Sequence, residues 1–258
     1  MPDLLLLHGA CHGAWAWDAV IPALAARGLA ARAIDLPACG ADPTPAAQVT
    51  LLTTARAILK AATTPTILVA HSAAGFPATL AAGLDPSRIT ALVYLAAWVP
   101  APDRSLADMR RAWPDPPLRH AFRLSPDRLT FTFDPDRAAD LFFHDCPPDI
   151  AAAALSRLTP QPLATQETAL PPNALPSNAF APTALPPTTR ATEAPPRHYI
   201  RTTADRAIPP ALQTEMARGC TLTDLPTGHS PFLSAPEALA QRLAEIHAST
   251  LSRAASPR

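Results

Sequence analysis

The sequence predicts an α/β fold: a mainly parallel sheet of about six strands, flanked by helices and interrupted by one insertion. Three observations carry this. Continuous apolar runs of the buried parallel-strand type alternate with helical segments up to Pro100. The alternation breaks at Pro100-Ala101-Pro102-Asp103 and resumes after His198. Between two such segments, Ser72 sits at the apex of a strand–turn–helix pattern.

Strands are expected near 3–8, 29–35, 65–71 and 89–97, and helices near 15–27, 47–62 and 74–84. Strands separated by helices imply right-handed crossovers and parallel pairing. From Pro100 to about Arg197 helical fragments mix with proline, and 136–143 and 148–158 have helical character. Residues 160–196 are rich in Pro, Thr and Ala. They read as an extended, ordered segment over the core rather than a linker, anchored by Leu163, Leu170, Leu175, Phe180 and Leu185. The pattern then returns: strand 198–205, helix 209–218, strand 220–225, and an amphipathic helix 236–251 that turns Leu239, Leu243, Ile246 and Leu251 to the sheet. This gives a core over 1–100 and 198–258, with an inserted cap over 101–197.

Composition narrows the function classes. The 258 residues suffice for one large domain. Lys plus Arg total 21 and Asp plus Glu total 21, and no basic stripe suggests nucleic acid or a charged membrane surface. A small, neutral ligand is expected. Cys11, Cys39, Cys146 and Cys220 lack metal-ligand spacing and read as free thiols in a reducing compartment. The Leu4–Leu7 run is too short for a signal segment, and no apolar run reaches membrane-spanning length. A cytoplasmic protein without metal or other cofactor is expected, its assembly left open, homodimer included. Glycine is scarce at 8 residues, and Gly9, Gly13, Gly40, Gly75 and Gly228 fall in the motifs, where a positive φ or a close approach is expected. Gly28, Gly83 and Gly219 fit helix C-terminal stops.

The motif around Ser72 is Val69-Ala70-His71-Ser72-Ala73-Ala74-Gly75. An exposed serine on a sharp strand-to-helix turn is usually written G-x-S-x-G. Here Ala70 and Ala74 replace both glycines, which the tight turn tolerates if small side chains suffice. An ordinary helix cap is the alternative for the serine. Two further segments end strands with reactive side chains: Arg201-Thr202-Thr203-Ala204-Asp205, and Leu225-Pro226-Thr227-Gly228-His229-Ser230-Pro231. A serine hydroxyl needs a base within hydrogen-bond reach, and the base needs a carboxylate to fix its tautomer. Asp224 is the alternative acid, but it lies within its strand. His8, His12, His71 and Asp35 read as structural neighbours, and Trp15, Trp17 and Trp98 as packing residues. His144 is a candidate for the pocket wall.

Leu7-His8-Gly9-Ala10-Cys11-His12-Gly13-Ala14-Trp15-Ala16-Trp17, followed by Ala33-Ile34-Asp35-Leu36-Pro37, resembles the opening of one α/β-hydrolase group. That group contains plant methyl-ester esterases, hydroxynitrile lyases and bacterial pyrethroid-hydrolase-like esterases. The resemblance extends over the Ser72 turn, Leu92-Val93-Tyr94-Leu95, Thr203-Ala204-Asp205-Arg206 and Gly228-His229. It implies the α/β-hydrolase fold, with Ser72 as nucleophile, His229 as base and Asp205 as its orienting acid. It also implies an oxyanion hole from the Ala10 and Ala73 backbone N–H groups. The expected activity is a serine carboxylesterase acting on small uncharged esters through an acyl-enzyme. Alternatives are a hydroxynitrile-lyase-type reaction and a non-catalytic sensor on the same scaffold. The lyases of this group carry threonine where this chain has Gly9 and lysine after the catalytic histidine, where this chain has Ser230. Both departures favour the esterase.

Overall fold

A computed structural model describes residues 3–170 and 194–255. Its centre is a six-stranded, fully parallel sheet of β1 (Asp3–Leu7), β2 (Ala31–Ile34), β3 (Thr66–His71), β4 (Ile89–Leu95), β8 (Arg197–Thr202) and β9 (Thr221–Leu225), in the order β2-β1-β3-β4-β8-β9. The order reverses between β1 and β3. Ligand crevices of open α/β sheets form outside the strand carboxyl ends at such a reversal.

Strand periodicity explains why both faces are apolar. Leu5 and Leu7 of β1, with Leu68 and Ala70 of β3, enter one core; Leu4, Leu6, Ile67 and Val69 enter the other. Successive residues point to opposite faces, so a strand buried on both sides must be apolar throughout. The first core is closed by α2 (Leu51–Ala61), α3 (Gly75–Leu84) and α8 (Pro210–Met216), and the second by α1 (Val20–Ala25), α9 (Pro231–Ser234) and α10 (Pro236–Ala255). Each buried leucine contributes roughly 1.5–3 kcal/mol relative to exposure. Thr50 starts α2 with a reciprocal capping box to Thr53.

The structure departs locally from the sequence expectation. The helix expected over 15–27 splits into a 3-10 turn, Ala14–Trp17, and the shorter α1. Gly83 lies within the last turn of α3, not after it, whereas Gly28 and Gly219 take φ of +73° and +77°. Leu239, Leu243 and Ile246 are buried in α10, but Leu251 is only half-buried.

Between β4 and β8 lie α4 (Leu106–Ala112), a three-stranded antiparallel sheet of β5 (Phe122–Leu124), β6 (Thr130–Phe133) and β7 (Gln161–Pro162), α5 (Pro135–Phe142), α6 (Pro148–Ser156) and α7 (Ala164–Glu167). This insertion has its own aromatic core, in which Phe131 is fully buried and Phe133 packs at 4.9 Å from Phe142. Leu163 packs against that core and Leu170 is buried, while Leu175, Phe180 and Leu185 lie outside the described residues. Cys11, Cys39, Cys146 and Cys220 are all free thiols. Among the described residues no helix is long and apolar enough to cross a membrane.

Candidate active site

β3 runs into Ser72, whose φ is +52°. A non-glycine residue in the left-handed region is strained by about 1–3 kcal/mol and persists only where its surroundings enforce it. Here the Trp98 N–H donates to the Ser72 carbonyl at 3.0 Å, tying the turn to the chain after β4. Ala70 and Ala74 are buried, so the two alanines of the motif fit the space. Gly75 has no such latitude. A Cβ there would collide with the Trp98 carbonyl oxygen.

The turn after β9 brings His229 to this serine. Ser72 Oγ donates to His229 Nε2 at 3.1 Å, and His229 Nδ1 donates to Asp205 Oδ2 at 2.8 Å. Asp205 follows β8 and is buried. Its Oδ1 accepts from the Ala207 and Ile208 N–H groups at 2.7 and 2.9 Å; its Oδ2 also accepts from Thr202 Oγ1 and Gln213 Nε2, both at 2.9 Å. The carboxylate is thus held from five directions, which fixes the imidazole tautomer and plane. Asp224 is elsewhere, in a two-point ion pair with Arg201 at 2.7 and 2.8 Å on the exposed side of β9.

Sequence reasoning missed Thr202, Gln213 and Asp145. Gln213 is fully buried beside Leu212 and Met216 on α8, and a polar residue on a core-facing helix side was the available signal. Its Oε1 accepts from the Thr202 N–H at 3.0 Å and its Nε2 also donates to the Ile208 carbonyl at 2.8 Å. Asp145, from the insertion, accepts the Gly228 N–H at 2.6 Å, one residue before His229. No local pattern announces that contact.

The histidines near the serine are scaffold. His71 Nε2 donates to the His229 carbonyl at 3.0 Å, and its side chain is buried. His8 Nε2 accepts from the Leu36 N–H, and His12 Nδ1 donates to the Ala10 carbonyl at 2.8 Å. Burial pushes His12 down to about 3 and lowers His8 and His71 from the ordinary imidazole range. All three are neutral at pH 7. Asp35 fastens the turn after β2, accepting the Ala14 N–H at 2.6 Å and the Ala41 N–H at 3.1 Å.

A small cavity opens over Ser72. Ala10, Ala73, His12 and Trp98 form its floor beside Ser72 and His229. Trp98 therefore faces the cavity as well as packing beneath it. Leu106, Leu118, Phe122, Phe133 and Phe142 roof it from the insertion, with Arg110 and Gln166 as the polar exceptions. His144 is not part of this wall and packs against Gly228. Among the described residues no group of three His, Cys, Asp or Glu side chains is placed to hold a metal ion. Such an arrangement can transfer the serine proton to an imidazole.

Comparison with known proteins agrees with this architecture. The chain is 39% identical over 103 residues to Methylesterase 7 of Arabidopsis thaliana, covering 37% of this chain and 40% of that protein. It is 37% identical over 122 residues to Probable esterase PIR7A of Oryza sativa subsp. indica, covering 43% and 46%. The matched stretches thus span less than half of either relative. A pyrethroid hydrolase from Sphingobium faniae JZ-2 superposes with a TM-score of 0.78 at 23% identity, over 95% of this chain and 96% of that one. The model of the alpha/beta hydrolase family matches residues 4–242, and the chain belongs to that family.

Proposed function

We propose that this protein is a cofactor-independent serine carboxylesterase. Ser72 attacks the ester carbonyl, His229 takes its proton and then delivers it to the leaving alcohol, and Asp205 orients and stabilises the imidazolium. The Ala10 and Ala73 N–H groups hold the tetrahedral oxyanion; each such donor is worth roughly 2.7–4 kcal/mol in transition-state stabilisation. Water activated by His229 then releases the acyl group. The observation that carries the reading is the continuous Ser72–His229–Asp205 hydrogen-bond chain at 3.1 and 2.8 Å beneath an apolar cavity.

The substrate proposed is a small carboxylic ester, uncharged around its scissile bond. The cavity is small and mostly apolar there, and relatives of this chain carry the names methylesterase, esterase and pyrethroid hydrolase. Hydroxynitrile cleavage is disfavoured by space at Gly9, where a Cβ would lie 2.6 Å from His71 Nδ1, so a threonine does not fit without displacing that ring. Ser230 also supplies no cation for a departing cyanide. The test is a panel of short acyl esters, with acetone cyanohydrin alongside, against wild type and Ser72→Ala. Ester turnover lost in Ser72→Ala is expected. Substantial turnover by Ser72→Ala, or Ser72-dependent cyanide release outpacing ester hydrolysis, would contradict the proposal.

A further inference from the structure

Arg110 is the unusual residue of the cavity. It projects from α4 into the same space as Ser72 and His229. Its guanidinium carbon lies 4.0 Å from the centroid of the Phe122 ring. That stacking occupies one guanidinium face and leaves the N–H edges for other partners. Its Nη1 is buried and has no hydrogen-bond partner among the described residues. The acids near this helix do not neutralise it. Glu167 forms a two-point pair with Arg111 at 2.6 and 3.2 Å, and Asp108 lies 3.7 Å from Arg111 while capping Ser105. Arg110 has no ion pair among the described residues.

An unpaired, partly buried guanidinium is costly. A buried charge left without a partner destabilises a fold, so it is normally retained where something completes it. Burial, with Arg111 nearby, pushes Arg110 down to about 10, which leaves it charged at pH 7. A second polar side chain stands on the same wall. Gln166 of α7 is buried, lines the cavity, and has no side-chain hydrogen bond among the described residues. Arg110 and Gln166 thus stand together as the polar side chains of the wall that the insertion contributes. Arg110 also borders a second, open hollow lined by Trp113, Pro117, Leu212 and others, which shares Trp98 and Leu118 with the first. The guanidinium stands where the two meet, so it can receive one end of a molecule whose other end reaches Ser72.

We infer that the substrate carries a carboxylate on the arm remote from the scissile ester, received by the Arg110 guanidinium with Gln166 as a second donor. A half-ester of a dicarboxylic acid, or the ester of a hydroxy acid, has this chemistry. A carboxylate matches the planar fork of arginine with paired hydrogen bonds, where a neutral carbonyl would leave the charge unbalanced. This rests on the esterase reading and deepens it, keeping the reacting end uncharged while giving the far end a charge.

The test compares matched esters of graded chain length on the intact protein. For the acyl arm, monomethyl adipate is set against methyl hexanoate and the corresponding keto ester. For the alcohol arm, hexyl acetate is set against its terminal-carboxylate counterpart. The readout is the ratio of kcat/KM, charged over neutral, in wild type, Arg110→Met and Arg110→Lys. Wild type should prefer the carboxylate on one arm. Arg110→Met should lower that ratio about tenfold or more, as expected for losing a charge-assisted bond, and Arg110→Lys should fall between. If no chain length in either arm shows a preference that Arg110→Met lowers, the inference fails while Ser72-dependent turnover still stands. A preference for the keto ester over the carboxylate, or an equal loss on every ester, overturns it as well. Absence of Ser72-dependent turnover of any ester removes the esterase reading and this inference together.

Discussion

At the scale of single residues, the distinction between Asp205 and Asp224 is the sharpest outcome. Both are aspartates near a strand in the second half of the chain, and composition cannot separate them. Position does. Asp205 stands past the carboxyl end of β8 and reaches His229, whereas Asp224 lies within β9 and pairs outward with Arg201. Asp205→Asn is expected to lower kcat by several orders of magnitude, because it disturbs the tautomer and leaves the imidazolium unstabilised. Asp224→Asn should alter kcat less than about twofold, since exposed ion pairs contribute only about 0–1 kcal/mol. Steady-state kinetics of the two variants on one ester checks this, and a silent Asp205→Asn would show the acid to be misassigned. The proposed nucleophile itself was legible because an apolar strand, a serine and small residues must coincide to build the turn. The partner of Gln213 was not legible: its place on the core-facing side of α8 signals a buried polar role, but the contact to Asp205 forms only once β8 and α8 are packed together.

Among the elements, the insertion does more than roof the cavity. It grips the two loops that present the reactive groups. Thr159 N–H donates to the Cys11 carbonyl at 2.8 Å and Cys11 N–H to Gln161 Oε1 at 3.2 Å, so the turn carrying Ala10 is held from above. Cys11 itself has a φ of +63°. On the other side, Asp145 holds the Gly228 N–H. Gly228 has no room for a side chain, since a Cβ there would lie 2.5 Å from Asp145 Oδ1. Asp145→Ala should therefore lower kcat about tenfold with a smaller change in KM, because a small misplacement of His229 is costly to the reaction but not to binding. Asp145→Asn, which keeps an acceptor for Gly228, should recover most of that loss. Equal activity of Asp145→Ala and wild type, with both folded by circular dichroism, would show that the contact does not position His229. The parallel strands were readable as runs because both of their faces are buried. The small antiparallel sheet was not, since β5 is half exposed and β7 has only two residues, one of them Pro162. Short edge pairings carry little periodicity of their own.

Over the whole molecule, three buried histidines couple stability to pH. His8, His12 and His71 all have folded-state pKa values below the ordinary 6.5, chiefly through burial. In the unfolded chain each titrates near its ordinary value. Above about pH 6.5 both states are neutral and the full stability is present. Below it the unfolded chain takes up protons that the folded one refuses, so stability is lost as pH falls. His12, pushed down to about 3, contributes a slope of up to about 1.4 kcal/mol per pH unit, and His8 and His71 act in the same direction. Urea unfolding between pH 7 and 5.5, above most carboxylate titration, should show this decline, and His12→Gln should reduce the slope by up to about one proton. A flat profile over that interval would contradict the burial of these rings as neutral side chains. The architecture as a whole was the most readable level, since a mainly parallel sheet of about six strands follows from strand–helix alternation, although its order β2-β1-β3-β4-β8-β9 does not. The contents of the cavity were the least readable, because its roof is assembled from α4, α5, α7 and the small sheet, far apart in sequence.

The central claim is that Ser72, alone among the serines of the chain, is an activated nucleophile. Its most direct measurement is intact-protein mass spectrometry after treatment with an organophosphonate ester, followed by peptide mapping. The account predicts one adduct per chain, on Ser72, with ester turnover lost in proportion to labelling and no adduct in Ser72→Ala. Labelling at another serine, or an unlabelled Ser72 in protein that still turns over esters, would contradict it.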